Sequence, residues 1–130
     1  MTDTFLYKDE GYKIIGCFYA VYNTLGNGFL ESVYVEALSK EFTRNEIPFV
    51  REEKIEVFYN DEKLRKFFKA DFVCYKDIIV ELKAEKFTSH ASINQVLNYL
   101  KASKHKVAYL VNFGGEHIMI RRFINTPPSV

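Results

Sequence analysis

The fold of this chain is decided by residues 69–84, which read KADFVCYKDIIVELKA. The stretch predicts two short strands joined by a tight turn around Lys76-Asp77. In the second strand, Glu81 and Lys83 lie two residues apart in an otherwise apolar run, so they point to the same face. A buried acid and base are costly unless they pair with each other or hold a metal. This charged pair is the most informative feature of the sequence.

Asp71 lies ten positions before Glu81 and can bring a second carboxylate to the same place. Directly opposed residues of an antiparallel hairpin share a face. Pairing Asp71 with Glu81 therefore requires a three-residue loop at 75–77, or a bulge between Asp71 and the turn. A regular two-residue turn would place Asp71 opposite Leu82, on the wrong face. Two carboxylates and a lysine around a divalent cation are the minimum equipment for hydrolysing a phosphodiester.

Length and composition predict one domain over residues 1–130, with a core at about 10–124, a short lead-in and a short tail. Hydrophobic residues make up 48% of the chain and the net charge is only +1, so any basic surface must be local. Cys17 and Cys74 lack metal-ligand spacing and fit a reducing compartment. The N-terminus does not resemble a signal peptide, and no apolar run approaches the roughly 20 residues of a membrane span. We expect a cytoplasmic protein without membrane association.

Apolar spacing and turn residues predict the element order ααβββαββ. This order predicts an α/β (α+β) fold with one mixed central sheet flanked by helices, in which the third helix allows a parallel crossover. The first three strands should form an antiparallel meander. The predicted elements are helices at 10–25 and 30–45, strands at 54–59, 64–75 and 78–84, a helix from Ser89 or Ser92 to about Ser103, and strands at 107–112 and 117–123. The predicted turns lie at Asn60–Lys63 and at Gly114-Gly115, the latter as a hairpin turn.

Two of the helices carry polar side chains that could approach the sheet. Glu31 falls in the middle of the apolar stripe of the second helix, which aims a carboxylate toward the interior side. The alternative is that Glu31 only favours the helix dipole from the first turn. Gln95 and Tyr99, four residues apart, share a face of the third helix that differs from its core face.

Several of these elements resemble a known family. Residues 28–34, GFLESVY, resemble the motif of the GxxExxY protein family of bacteria and archaea, which is similar to the PD-(D/E)xK nuclease superfamily. Asp71, Glu81 and Lys83 resemble the acidic residues and lysine of the superfamily motif, although Ala70 stands where its name has Pro. Residues 95–99, QVLNY, resemble the QxxxY element of the RecB-like branch.

The resemblance implies a restriction-endonuclease-like core and a nuclease that uses Mg²⁺ or Mn²⁺, with DNA favoured over RNA as substrate. It implies that Asp71, Glu81 and the backbone carbonyl of Leu82 hold the metal, with Glu31 as an outer or second-metal ligand. Lys83 would orient a water molecule or stabilise developing negative charge. Gln95 would hold Lys83 or the water, and Tyr99 would contact phosphate or fix Gln95.

Local basic clusters are candidates for phosphate contacts, although each one taken singly is more typical of solvated surface charge. They comprise Lys66, Lys69, Lys86, Lys101 and Lys104. A chain of 130 residues has little room for a dedicated recognition domain, so a homodimer or a partner protein could supply specificity. Two other functions stay open: a non-catalytic module that binds nucleic acid or protein on the same fold, and a structural domain whose acids pair with lysines.

Overall fold

The computed structural model describes residues 5–125, and these residues form three helices and five strands in the predicted order. The first four residues of the predicted lead-in and the predicted tail at 126–130 lie outside the described residues. None of the described helices has the length and apolar character to cross a bilayer. The elements are α1 (Lys8–Leu25), α2 (Glu31–Arg44), β1 (Phe49–Tyr59), β2 (Glu62–Cys74), β3 (Ile78–Lys83), α3 (His90–Ala102), β4 (Val107–Asn112) and β5 (Met119–Ile124).

The five strands form one mixed sheet in the order β1-β2-β3-β4-β5. Strands β1, β2 and β3 pair antiparallel, β3 and β4 pair parallel through the α3 crossover, and β5 returns antiparallel to β4. The structure therefore confirms the meander, the crossover and the mixed sheet. Strand β3 lies between β2 and β4 and is buried from Ile78 to Leu82, as its continuous apolar run predicts.

Two apolar layers cover the two faces of the sheet. Helices α1 and α2 pack on one face, where Phe18, Tyr34 and Phe72 are buried in the same cluster. Helix α3 packs on the other face, where Val96 and Leu100 meet Val73 and Ile79 of the sheet. The chain thus buries the central strands between two helical layers, and polar groups on these strands must find partners inside the fold.

The loop between β2 and β3 has the length that the predicted register requires. Cys74 pairs with Ile78, which leaves Tyr75, Lys76 and Asp77 as a three-residue loop. The φ angles of Tyr75 and Lys76 are 51° and 63°, in the left-handed region, and the Asp77 N–H donates to the Cys74 carbonyl at 3.1 Å. The predicted three-residue loop is therefore confirmed, and the Asp71 N–H contacts the Glu81 side chain just beyond the last pair, Phe72 and Val80.

Two predicted turns are wrong in detail. The β1–β2 turn contains only Asn60 and Asp61, because Tyr59 already pairs with Glu62. Both turn residues have left-handed φ angles, 48° and 64°, which matches the twist of a two-residue hairpin. Gly114 and Gly115 lie in a longer connection, since β5 begins at Met119 and pairs there with Asn112.

Gly114 is required because the loop after β3 passes close to its backbone. A Cβ atom at Gly114 would lie 2.4 Å from the Glu85 nitrogen and 2.5 Å from the Ala84 carbonyl carbon. We therefore expect Gly114→Ala to lower the free energy of unfolding by about 1–3 kcal/mol, measured by urea denaturation. Gly16→Ala is the control, since Gly16 is exposed in α1 with nothing within 4 Å of such a Cβ. That variant should gain about 0.5–1 kcal/mol. Equal stability of the two variants would contradict this account.

Candidate active site

The side chains of Asp71 and Glu81 accept backbone hydrogen bonds from the opposite strand at the point where the β2–β3 pairing ends. The ladder covers three residue pairs and stops at Phe72 and Val80. Beyond it, the Asp71 N–H donates to Glu81 Oε1 at 2.7 Å, and the Leu82 N–H donates to Asp71 Oδ2 at 2.9 Å. Glu81 is only 2% exposed. Side-chain carboxylates thus replace the backbone carbonyls that a longer ladder would have supplied.

The alternation of side chains between the two faces of the sheet is interrupted in β2 at Asp71. Ala70 is buried against α3, whereas Phe72 is buried in the layer of α1 and α2. Residues two apart in a regular strand share a face, so the alternation breaks between them. Glu52, beside this point in β1, has a left-handed φ of 54°. The earlier part of β2 pairs only with β1, and the two strands leave the sheet as a ribbon.

The pKa of Glu81 is raised to about 8, mainly by burial, then by the nearby charge of Asp71 and least by Glu31, while the hydrogen bond from the Asp71 N–H and the charge of Lys83 oppose the shift. Burial also raises the pKa of Asp71, while its hydrogen bond from the Leu82 N–H and the charge of Lys83 oppose that shift. The two carboxylates therefore resist being charged together. A site of this kind favours a bound cation, which would offset both charges.

Glu31 is the first residue of α2 and remains exposed. The prediction that it points into the interior is wrong. It instead borders a cleft of about 560 Å³ whose lining includes Arg51, Glu52 and Asp71. Partial burial raises the pKa of Glu31, and so does the charge of Asp71, while Lys83 lowers it. Glu31 therefore shares the electrostatic environment of the carboxylate pair, although its first-turn position also suits the helix dipole.

Lys83, Gln95 and Tyr99 complete the group of predicted site residues that the fold brings together. Lys83 is half-buried, and in the described part of the chain no carboxylate lies within 4.0 Å of its ammonium. Tyr99 is 6% exposed, and its pKa is raised to about 12 by burial, then by the charges of Glu81 and Asp71. A hydrogen bond with Gln95 lowers that pKa. Tyr99 is buried in the same cluster as Val96 and Leu100, so the prediction that it lies off the core face of α3 is wrong. Its ring lies close enough to the carboxylate pair for their charges to act on it.

The oxygen atoms at this point suit a hard divalent cation. Asp71 Oδ1 and Glu81 Oε2 accept no hydrogen bond from any described residue. The Leu82 N–H points toward Asp71, and the carbonyl of an extended residue points to the same edge as its N–H. Two carboxylates and a carbonyl are ligands that Mg²⁺ and Mn²⁺ prefer. Residues 5–125 contain no group of three His, Cys, Asp or Glu side chains arranged to hold a metal, so further ligands would be backbone or solvent oxygens.

The candidate phosphate-binding lysines occupy different places. Lys66 and Lys69 lie on the ribbon and line a groove of about 580 Å³ with Asn94, Gln95, Asn98 and Tyr99 of α3. Lys86 lies in the loop after β3. Lys101 and Lys104 are exposed in the last turn of α3 and the following loop, and neither contacts the carboxylate pair through a hydrogen bond or ion pair in the described chain.

Sequence reasoning missed Arg51. Its Nε donates to the Asp71 carbonyl at 2.8 Å, and its guanidinium lies 4.9 Å from the centre of the Phe72 ring. The charge of Arg51 lowers the pKa of Asp71. Arg51 stands in a run of charged residues, and only the β1–β2 register brings it beside Asp71, so no local signal could have found it.

The mixed sheet carries Glu81 and Lys83 at the end of its central strand β3 and Asp71 on the neighbouring strand β2. A family model described as the PD-(D/E)XK nuclease superfamily matches residues 8–123. The chain belongs to this superfamily, which confirms the predicted resemblance at that level. Membership of the narrower GxxExxY family stays a prediction.

The fold also resembles a solved structure, the crystal structure of SSO0001. The TM-score is 0.57 at 17% sequence identity, and the match covers 94% of this chain and 61% of that one. The chain thus spans less than two thirds of the length of SSO0001, and at this identity the likeness shows the fold alone. A search of curated proteins gave no match.

The raised pKa of Glu81 predicts how stability depends on pH without metal. The folded-state pKa of Glu81, about 8, lies above its ordinary value of 4.5, so the folded protein favours the protonated carboxyl. The contribution of Glu81 to the free energy of unfolding is therefore fully present below about pH 4.5 and is lost as the pH rises through 8. Glu81→Gln stays neutral and can still accept the Asp71 N–H. We expect it to exceed wild type in unfolding free energy at pH 9 by more than about 1.4 kcal/mol, the value of one pKa unit.

This comparison is made by urea denaturation in EDTA at pH 5 and pH 9. Glu62→Gln is the control, because Glu62 is an exposed carboxylate at the start of β2. Its difference from wild type should not change with pH. If Glu81→Gln and wild type lose stability in parallel between the two pH values, Glu81 does not carry a raised pKa in the folded protein.

Proposed function

We propose that this protein is a metal-dependent nuclease that hydrolyses phosphodiester bonds in DNA. The observation that carries the proposal is the convergence of Asp71 and Glu81 at the end of β3, with Lys83 on the same strand. Membership of the nuclease superfamily supports a nucleic-acid substrate. The preference for DNA rests on the resemblance of residues 95–99 to the RecB-like branch.

Asp71, Glu81 and the Leu82 carbonyl would hold Mg²⁺ or Mn²⁺ through oxygen. When bound, such a cation lowers the pKa of a coordinated water and offsets charge on the scissile phosphate. The protein prepares this position by holding Asp71 Oδ2 and Glu81 Oε1 on backbone N–H groups, which fixes both carboxylates before the cation arrives. Glu31, which borders the cleft of Asp71, would add an outer or second-metal ligand.

Lys83 would stabilise the negative charge that develops on the phosphate, or orient the attacking water. It suits this role because its ammonium is half-buried near three carboxylates without a close ion pair in the described chain. Gln95 and Tyr99 would act as positioning residues. Tyr99 keeps its proton at neutral pH, because its pKa is about 12, so its hydroxyl can donate to a phosphate oxygen or to Gln95.

The groove between the ribbon and α3 would bind the nucleic-acid backbone. Lys66 and Lys69 supply positive charge, and Asn94 and Asn98 supply amide groups from the opposite wall. Gln95 and Tyr99 line the same groove. A strand lying there would approach the carboxylate pair, because the charges of Glu81 and Asp71 act on Tyr99. Lys86, Lys101 and Lys104 would add contacts outside this groove.

The second candidate function is a non-catalytic module that binds nucleic acid or protein. The observation that favours it is the lack, within residues 5–125, of three metal-ligating side chains in one place. Such a module would bind oligonucleotides without cleaving them in any divalent metal. A homodimer or a partner protein that supplies specificity also stays a prediction.

Lys83→Ala should abolish metal-dependent cleavage while the fold remains intact. We expect the rate to fall by at least about 100-fold, as for the loss of a single charge-stabilising group. Cleavage is measured in Mg²⁺ and in Mn²⁺ on single-stranded, duplex and branched DNA and on RNA. Lys40→Ala, which removes an exposed lysine from α2, is the control and should cleave like wild type. Equal rates for Lys83→Ala and wild type would overturn the assignment of Lys83.

Replacing both Lys66 and Lys69 by Ala should weaken DNA binding and reduce its salt dependence. Each phosphate contact contributes about 0.7–0.9 to the slope of log K against log salt concentration, so the slope should fall by about 1.4–1.8. The measurement is fluorescence anisotropy in EDTA at several salt concentrations. Lys40→Ala again serves as the control. An unchanged slope in the double variant would exclude the groove from phosphate binding.

A further inference from the structure

Three large apolar side chains are exposed on the two loops that adjoin Glu31 and Lys83 in the chain. Phe29 is 48% exposed, Leu30 76% and Phe87 78%, and we call them the apolar rim. Leu30 directly precedes Glu31, and Phe87 follows Lys83 by four residues, within about 14 Å even for an extended chain. Large apolar side chains that stay exposed in one region often mark an interaction surface.

The loop that carries Phe87 is held in place on both sides. The Glu85 carboxylate accepts hydrogen bonds from Ser92 Oγ at 2.8 Å and Ser89 Oγ at 3.5 Å, both at the start of α3. The buried Asn112 accepts the Glu85 N–H at 2.9 Å and donates to Thr88 Oγ1 at 3.0 Å. Phe87 is therefore exposed on a well-anchored loop.

The loop that carries Phe29 and Leu30 is also anchored. The Tyr34 hydroxyl donates to the Gly26 carbonyl at 2.6 Å and accepts the Phe29 N–H at 3.3 Å. The Asn27 amide donates to the Gly115 carbonyl at 2.9 Å, next to the point where Gly114 meets Glu85. Asn27 and Phe87 line one cleft of about 380 Å³. The two loops therefore border the same cleft, with Asn27 on one side and Phe87 on the other.

Lys86 and Phe87 together offer a cation for a phosphate and an apolar ring for a base, the two parts of a nucleotide. Lys86 places its ammonium 5.8 Å from the centre of the Phe87 ring and lines the same cleft. A phosphate requires such a cation, while the base attached to it requires an apolar surface to stack on. Because Phe87 lies within about 14 Å of Lys83, a nucleotide next to a phosphate at Lys83 would place its base in the neighbourhood of Phe87. Paired bases in a duplex already have their faces covered, so an exposed ring can stack on them only after they are unstacked.

We propose that the apolar rim binds the bases of an unpaired strand beside the scissile phosphate, with Phe87 as the main stacking residue. The site would then select single-stranded over duplex nucleic acid. This inference rests on the proposed nuclease function and adds the class of substrate to it. Phe87 acts here as a positioning residue, outside the group that holds the cation.

A tryptophan at this position reports directly on stacking. The sequence has no Trp, so Phe87→Trp introduces a single reporter, titrated with a dT oligonucleotide in EDTA. Tyr12→Trp is the control: Tyr12 is 83% exposed and lies ten residues before Tyr22, whose hydroxyl contacts the Glu116 carbonyl at the site end of α1. That separation is about 15 Å along the helix. Quenching at position 87 and not at position 12 supports the proposal, and binding without quenching at position 87 overturns it.

Phe87→Ala separates base contacts from phosphate contacts. We expect binding of the dT oligonucleotide to weaken about tenfold, as for the loss of one stacking residue. Binding of an abasic oligonucleotide of equal length and of a duplex should change less than twofold, since neither offers a free base face. Phe58→Ala is the control, because Phe58 is another exposed phenylalanine, at 58% exposure near the tip of the ribbon. No loss, or an equal loss on all three ligands, would overturn the proposal.

These binding measurements do not depend on cleavage. If wild type cleaves DNA but Phe87→Ala binds the dT oligonucleotide normally, the rim proposal fails and the nuclease assignment stands. If the dT-specific loss occurs but wild type cleaves nothing, the nuclease assignment fails and the rim remains a base-binding surface. If wild type binds no oligonucleotide, the rim proposal is overturned, and a protein partner becomes the occupant to test.

Discussion

The structure around the candidate site depends on two hydrogen bonds from backbone N–H groups to buried carboxylates. Glu81 accepts from Asp71, and Asp71 accepts from Leu82. These bonds close the end of the β2–β3 ladder, so the backbone there has partners although the strands stop pairing. They also fix two like charges near each other. The loop of three residues at 75–77 is a precondition, because a loop one residue shorter would turn Asp71 to the other face.

Nearby positive charges lower the free-energy cost of burying the two carboxylates but do not remove it. Arg51 and Lys83 lower the pKa of Asp71, and Lys83 also lowers that of Glu81, yet burial keeps both pKa values raised. A protein that needed only stability could have used apolar side chains here at no such cost. The same imbalance makes the pair a suitable receptor for a divalent cation. Helix α3 contributes Tyr99 to the enclosure, while α2 brings Glu31 from the opposite layer.

Much of this fold follows from short-range patterns in the sequence. Helical apolar spacing predicts the three helices, and the run Ile78-Ile79-Val80 predicts the central strand. The loop length follows from the requirement that Asp71 and Glu81 share a face. Arg51, Glu85 and Asn112 could not be predicted in the same way, because their partners are brought close only by strand register and loop contacts. The change of face between Ala70 and Phe72 is likewise hidden, since both positions hold apolar residues.

The ribbon of β1 and β2 leaves the sheet at Asp71, the residue that also begins the candidate site. The ribbon packs against α3, where the centres of the Phe68 and Tyr99 rings lie 5.0 Å apart. Tyr99 therefore borders the groove on one side and lies near the charges of Glu81 and Asp71 on the other. Under the proposed function, a ligand in the groove that moves Tyr99 would change the affinity of the carboxylate pair for a cation. The cation would change the affinity of the groove by the same factor, because such linkage is reciprocal.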